Sequence, residues 1–243
     1  MQLFYSKEIE SSGLCTLDEE ESRHAVRVLR LREGDVLHVA DGRGTVYACR
    51  VVDADARGCV VQAEKALAMR SAGPRLTLAV APTKNPSRME WLVEKAVEVG
   101  VSGVQLLLCE RSERDTMKTD RLRRVALSAM KQSLHAELPT VEPQDGLDEW
   151  LRRSAEEHAG SQLLVAHCEA DKPRLPLSSA LEPGRDAVVL IGPEGDFTPG
   201  EIELAASCGY KAVSLGPSRL RTETAAIYAA VVFSSINDQT NVR

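Results

Sequence analysis

The chain predicts an α/β protein built on a mainly parallel sheet with helices on both faces, preceded by a small β-barrel unit. Three observations carry that expectation. From Arg75 onward, strand-like and helix-like patterns alternate, and such alternation builds parallel sheets through crossover connections. Before Arg75, three short β-like runs (Val36 to Ala40, Thr45 to Val52 and Cys59 to Ala63) are separated by the turn sequences Asp41-Gly42-Arg43-Gly44 and Asp55-Ala56-Arg57-Gly58, the pattern of a small antiparallel barrel or sandwich. Near the C-terminus, two glycine-bearing turns, Leu190 to Phe197 and Leu215 to Ala225, each lie between a strand-like run and a helix-like run. Open α/β sheets collect ligands at the carboxyl ends of their strands, so these turns mark a ligand site.

The elements follow in order. Thr16-Leu17-Asp18-Glu19 reads as a capping box opening a helix, and Arg23, Arg27 and Arg30 recur at helical spacing, which puts three guanidinium groups on one face. Glu33-Gly34-Asp35 ends that helix, and the three β-like runs follow it. Ser71-Ala72-Gly73-Pro74 reads as a linker, giving domains over residues 1–72 and 73–243. In the larger domain, Leu76 to Ala81 predicts a strand, Ser87 to Val99 a helix closed by Gly100, and Val104 to Leu108 the next strand. Thr119 caps a helix in which Leu122, Val125, Ala126, Ala129 and Met130 keep helical spacing. Beyond Pro139 come a helix over Leu147 to His158 and a strand over Leu163 to Ala166. The apolar, β-branched run Ala187 to Ile191 predicts a buried strand. Thr198-Pro199-Gly200-Glu201 then supplies a cap, a proline at the first helical position and a glutamate three after the cap. The last helix, Glu223 to Ile236, is rich in Ala, Val and Ile, which suits deep packing and a subunit interface.

Composition narrows the function. No apolar run approaches the roughly 18 residues of a membrane span, and Met1 to Tyr5 followed by Ser-Lys-Glu is no signal peptide, so a cytoplasmic protein is expected. Cys15, Cys49, Cys59, Cys109, Cys168 and Cys208 form no C-x-x-C pair and read as buried free thiols, and no metal-ligand spacing is present. The net charge is −6, but the charge is unevenly spread. Arg23 to Arg32 holds four arginines and no acid, Arg111 to Lys131 seven bases against three acids, and Glu142 to Asp171 eight acids against two bases. Such segregation lets an acidic protein present basic faces to RNA. The turns match neither a P-loop nor a dinucleotide-binding fingerprint, and no G-x-S-x-G hydrolase elbow exists.

Gly192-Pro193-Glu194-Gly195-Asp196-Phe197-Thr198 with Glu201, then Leu215-Gly216 with Leu220-Arg221-Thr222-Glu223-Thr224-Ala225, resemble the C-terminal motifs of the RsmE family of SPOUT-class methyltransferases. His24 with Val28-Leu29-Arg30 and Gly34-Asp35 resembles that family's PUA-like RNA-binding domain. Lys84, Arg88-Met89-Glu90, Lys95, Gly100-Val101 and Glu110-Arg111-Ser112 resemble the start of its catalytic domain. The resemblance implies a trefoil-knotted parallel sheet, a homodimer, S-adenosylmethionine as cofactor, and methylation of N3 of a uridine in small-subunit (16S) ribosomal RNA. A SPOUT enzyme acting on transfer RNA, or a ribosome-assembly protein without catalysis, are the rival readings. Two departures stand out. The family usually has Gly-Gly-Phe where this chain has Gly195-Asp196-Phe197, and commonly Glu-Gln-(Ser/Cys)-Gly-Arg where it has Lys131-Gln132-Ser133-Leu134-His135.

On that resemblance, S-adenosylmethionine would be held by Ala166 and His167, with Cys168 beside them, by Leu190, Ile191, Gly192, Pro193, Glu194 and Gly195, and by Leu215, Gly216, Ser218, Leu220, Arg221, Thr222, Thr224 and Ala225. N3 of neutral uracil carries a proton, so a general base must remove it or a cation must stabilise the resulting anion. Arg221 and Glu223 are the catalytic candidates for those two roles, with the assignment between them open. Arg23, Arg27, Arg30, Lys84, Arg88, Arg111 and Lys131 are the candidate RNA contacts.

Overall fold

In the computed structural model, residues 2–10, 13–69, 73–113, 116–169 and 172–238 are described, so the expected linker lies partly outside the described residues. The chain divides into two units, Met1–Ala72 with Leu127–Leu138, and Gly73–Ala126 with Pro139–Arg243.

The first unit is a five-stranded sheet. Its elements are β1 (Leu3–Tyr5), β2 (Leu14–Thr16), the helix α1 (Glu19–Arg23), β3 (Val36–Ala40), β4 (Thr45–Asp53) and β5 (Val60–Met69), and the strand order is β1-β3-β4-β5-β2. The three sequence-predicted strands form the antiparallel centre, but β1 joins β3 in parallel, Leu3 opposite His38, so the sheet is mixed rather than purely antiparallel. Phe4, Ile9, Leu17, Leu37, Val39, Cys49, Val51 and Val61 fill its interior. Each such side chain contributes about 1.5–3 kcal/mol on burial.

The helix of this unit differs from its sequence reading. Asp18, not Thr16, is the cap, its side chain accepting from the Glu21 amide at 2.8 Å, while Thr16 pairs in β2 opposite Val60. The helix then widens into a π-turn over His24–Val28, closed by Leu29 N–H donating to His24 O at 3.0 Å. Arg30 follows at φ 57. An i→i+5 turn holds more residues than an α-turn, and a left-handed residue leaves the helix altogether, so the expected three-arginine helical face does not form. Within the same unit Lys131 bonds Glu21, which is 3% exposed. Burial raises the Glu21 carboxyl above its ordinary range despite the lysine beside it.

The second unit carries seven parallel strands, β6 (Leu76–Val80), β7 (Gly103–Leu108), β8 (Thr140–Gly146), β9 (Gln162–Ala166), β10 (Leu175–Pro176), β11 (Ala187–Ile191) and β12 (Lys211–Ser214), in the order β10-β12-β9-β11-β6-β7-β8. The helices between and after these strands are α2 (Pro86–Val99), α3 (Thr119–Gln132), whose residues from Leu127 onward belong to the first unit, α4 (Leu147–Glu157), α5 (Leu177–Ala180), α6 (Pro199–Ser207) and α7 (Thr222–Asp238). All five residues of β11 are buried, as a strand flanked by neighbours and covered on both faces requires. Helices α2 and α5 pack on α7, whereas α4 packs on α6. The capping box at Thr198 forms in full, and Asn85 and Gly100 cap α2. No helix among the described residues is long and apolar enough to cross a membrane.

The order places β9, which precedes β11 in sequence, between β11 and β12. Ile191 of β11 and Val213 of β12 both stand opposite Ala166, so the three strands end level with one another. The chain leaves all three ends at one place.

Candidate active site

Beyond those strand ends lies a cavity of about 310 Å³. Thirteen of the residues expected to hold a cofactor line it: Ala166, His167, Ile191, Gly192, Pro193, Glu194, Leu215, Gly216, Ser218, Leu220, Arg221, Thr222 and Ala225. Leu190 is enclosed within β11, Gly195 is turned toward Arg111, and Thr224 faces a second cavity. Cys168, Arg174, Asp196, Ser214 and Arg219 complete the lining. Cys168 is exposed rather than buried, and Cys208 is half-buried, while the other four thiols are buried and free. Arg174 carried no sequence signal, because it leads into a strand of only two residues.

Backbone geometry explains the glycines. A Cβ on Gly192 would stand 3.1 Å from the Phe197 ring and 3.2 Å from its amide, so a side chain here would push the loop apart. Gly216 has φ 112, which L side chains rarely adopt. Thr222 Oγ1 donates to Gly192 O at 3.1 Å and ties the two glycine turns together. A Cβ on Gly195 would stand 3.2 Å from Arg111 Cβ, and the Arg111 guanidinium donates to Gly195 O at 3.0 Å. Glu201 accepts from both the Thr198 and the Glu110 amides, at 2.7 and 2.8 Å, which fixes the turn to the end of β7.

Asp196 is the departure that the sequence flagged, and it has φ 63. Its carboxylate accepts from the Cys168 amide at 2.7 Å and the Phe197 amide at 2.8 Å, carrying the β9 to β11 connection one step past the sheet. His167 Nδ1 accepts from the Glu169 amide at 3.2 Å, which leaves the ring proton on Nε2, a buried atom with no partner. Burial, then the charge of Arg174, lowers the His167 pKa, so the ring is neutral in a pocket lined by three arginines.

The two catalytic candidates diverge. Arg221 lines the first cavity, whereas Glu223 lines a second one of about 260 Å³ with Ser87, Arg88, Trp91 and Thr224. Glu223 is 7% exposed; its Oε1 lies 3.6 Å from Arg88 Nε, and its Oε2 is buried without a partner. Of the expected RNA contacts, several are engaged. Lys84 pairs with Glu113 at 3.0 Å, Arg23 with Glu19 at 2.5 Å, and Lys131 with Glu21, while Arg111 is spent on the Gly195 turn. Arg27 and Arg30 are exposed, with no ion pair among the described residues.

Comparison with known proteins agrees with the geometry. Residues 71–234 match a family described as an RNA methyltransferase domain, and residues 17–64 match an RNA methyltransferase PUA domain. A ribosomal RNA small subunit methyltransferase E from Mycobacterium bovis is 32% identical over 93% of this chain and 88% of its own length. One from Aquifex aeolicus is 30% identical over 93% and 96%. Among solved structures, a probable rRNA-methyltransferase from Porphyromonas gingivalis superposes with a TM-score of 0.89 at 38% identity, covering 99% of this chain and 100% of that one. A ribosomal RNA small subunit methyltransferase E from Neisseria gonorrhoeae, bound to S-adenosyl methionine, gives 0.81 at 26% identity with 98% of each chain covered.

Proposed function

The chain belongs to the ribosomal RNA small subunit methyltransferase E family, and on that premise we propose that it is an S-adenosylmethionine-dependent enzyme that methylates N3 of a uridine in small-subunit ribosomal RNA. The observation that carries this reading is the cavity at the level ends of β9, β11 and β12, walled by two glycine turns that only Gly192 and Gly216 allow. Its volume of about 310 Å³ lies within the few-hundred-Å³ range of small-molecule sites, about 300–1,000 Å³. The lining fits the cofactor: exposed backbone of the turns for the adenosine end, and arginines for a carboxylate. Bound there, S-adenosylmethionine supplies a methyl group on a positively charged sulfur. The neutral His167 adds no further charge to oppose it.

The residues around the cavity divide the remaining work. Thr222 locks the turns together, and Asp196 and Glu201 fix their bases. Arg221, at the cavity wall, is the cation that offsets negative charge spread over the uracil carbonyls. Glu223, with a free carboxylate oxygen, is the general base for the N3 proton. The N-terminal unit captures RNA through Arg27 and Arg30, and the protein acts as a cytoplasmic homodimer.

Calorimetric titration with S-adenosylmethionine and with S-adenosylhomocysteine tests the cofactor site. Saturable binding is expected, weakened at least tenfold by Gly192→Ala and by Gly216→Ala, since about 1.4 kcal/mol of strain in either turn has that effect. Absence of binding to the folded wild-type protein would sink the reading.

A further inference from the structure

We propose that the cavity of about 260 Å³ lined by Ser87, Arg88, Trp91, Glu223 and Thr224 receives the target uracil, with Trp91 as its stacking face and Glu223 as the acceptor of N3–H. This inference rests on the methyltransferase reading and names the substrate pocket of that enzyme. It starts from Glu223. A carboxylate that is 7% exposed, with one oxygen 3.6 Å from a guanidinium and the other buried without any donor, is incomplete by itself. Buried acceptors are costly to leave unmade, so the missing donor belongs to something that enters the cavity.

Uracil supplies what is missing. Its N3–H is a donor flanked by two carbonyls, so Glu223 Oε2 accepts the proton while Arg88 faces a carbonyl oxygen. Cytosine and adenine present a lone pair at the corresponding ring nitrogen, and the carboxylate repels them. Trp91 completes the pocket. It is 44% exposed, although tryptophan usually buries its apolar body, and Trp150 by contrast is 2% exposed in the core. Bases turned out of an RNA stack are held by stacking on such rings.

The position suits methyl transfer. Arg221, Thr222 and Ala225 line the first cavity and Glu223 and Thr224 the second, so both cavities border the first turn of α7. Glu223 takes the N3 proton, the freed N3 electron pair forms the bond to the methyl carbon, and the carbon–sulfur bond breaks with its pair remaining on sulfur. N3-methyluracil, S-adenosylhomocysteine and a protonated Glu223 result, and the last returns its proton to water.

The test is steady-state methyl transfer to unmodified small-subunit ribosomal RNA by the full chain and by Trp91→Ala, Trp91→Phe and Glu223→Gln. Calorimetric S-adenosylmethionine affinity and light-scattering mass are measured on each. Trp91→Ala is expected to raise the RNA KM about tenfold or more, in line with the alanine-substitution cost of lost base stacking, and Trp91→Phe to restore most of it. Cofactor affinity and mass stay unchanged in both. Glu223→Gln is expected to lower kcat about 100-fold or more, with a residual rate that climbs about tenfold per pH unit because N3 must then lose its proton to solvent. Unchanged RNA KM in Trp91→Ala would overturn the proposal, as would a loss of activity that tracks a fall in mass, which would make Trp91 an interface residue. A Glu223→Gln enzyme with the wild-type pH profile would also overturn it. Failure of the wild-type chain to bind S-adenosylmethionine would instead overturn the parent reading, a separate outcome seen in the calorimetry alone.

Discussion

Leu134 and Asp196 stand where the family usually has glycine, and both lie in left-handed backbone, at φ 59 and φ 63. Both positions thus hold a backbone that glycine adopts freely, with another residue in place. The two replacements are not equivalent. Asp tolerates this region and here gains the Cys168 and Phe197 amides as donors. Leu134 gains no such bond and is 44% exposed at the end of α3. A left-handed L-residue costs about 1–2 kcal/mol, and a glycine loses about 0.5–1 kcal/mol more backbone entropy on folding than alanine does. Leu134→Gly is therefore expected to stabilise the protein by about 0.5–1 kcal/mol, read as a rise of a few degrees in Tm with unchanged S-adenosylmethionine affinity. The sequence exposed both departures but not their conformation, because a dihedral angle has no signature in composition.

Element by element, legibility followed the strength of the local signal. β11 matched its expected bounds because five consecutive buried apolar residues leave little choice. The α6 capping box was equally explicit. β8 was missed because Thr140 to Gly146 contains a proline and five polar or glycine positions, which an edge strand tolerates and a central one does not. β10 and α5 are too short to show periodicity. The π-turn after α1 was invisible for a different reason: His24 to Val28 has ordinary helical composition, and only the bond from Leu29 to His24 reveals the extra residue. That turn changes the expected RNA contacts. Arg23 is held by Glu19, whereas Arg27 and Arg30 are unpaired among the described residues. Replacing Arg27 and Arg30 with alanine is thus expected to weaken RNA binding and to flatten the slope of log affinity against log salt by about one to two. Arg23→Ala adds little. Equal effects from all three arginines in a salt titration would mean that the helical face forms on RNA after all.

At the scale of the whole molecule, the acidic net charge of −6 does not decide the partner, because the acids and bases occupy different parts of the chain. Apolar surface says more about assembly. On α7, Tyr228 and Val231 share one side three residues apart and are 43% and 48% exposed, although the opposite side of the helix is buried against α2 and the sheet. A helix with apolar residues on both sides needs two partners, and the chain itself supplies one. A second copy meeting the same stripe across a two-fold axis would supply the other, since a self-complementary apolar face closes into a dimer. Light scattering is therefore expected to give twice the mass of 26.5 kDa for the wild-type chain and a single-chain mass for Val231→Glu. The ends of β9, β11 and β12 and both glycine turns of this chain line the cofactor cavity, so the variant is expected still to bind one S-adenosylmethionine per chain. A monomeric wild-type protein would leave the exposed stripe of α7 to a different partner. A monomeric variant that also loses cofactor would mean that the turns at Gly192 and Gly216 need the second copy to hold their shape.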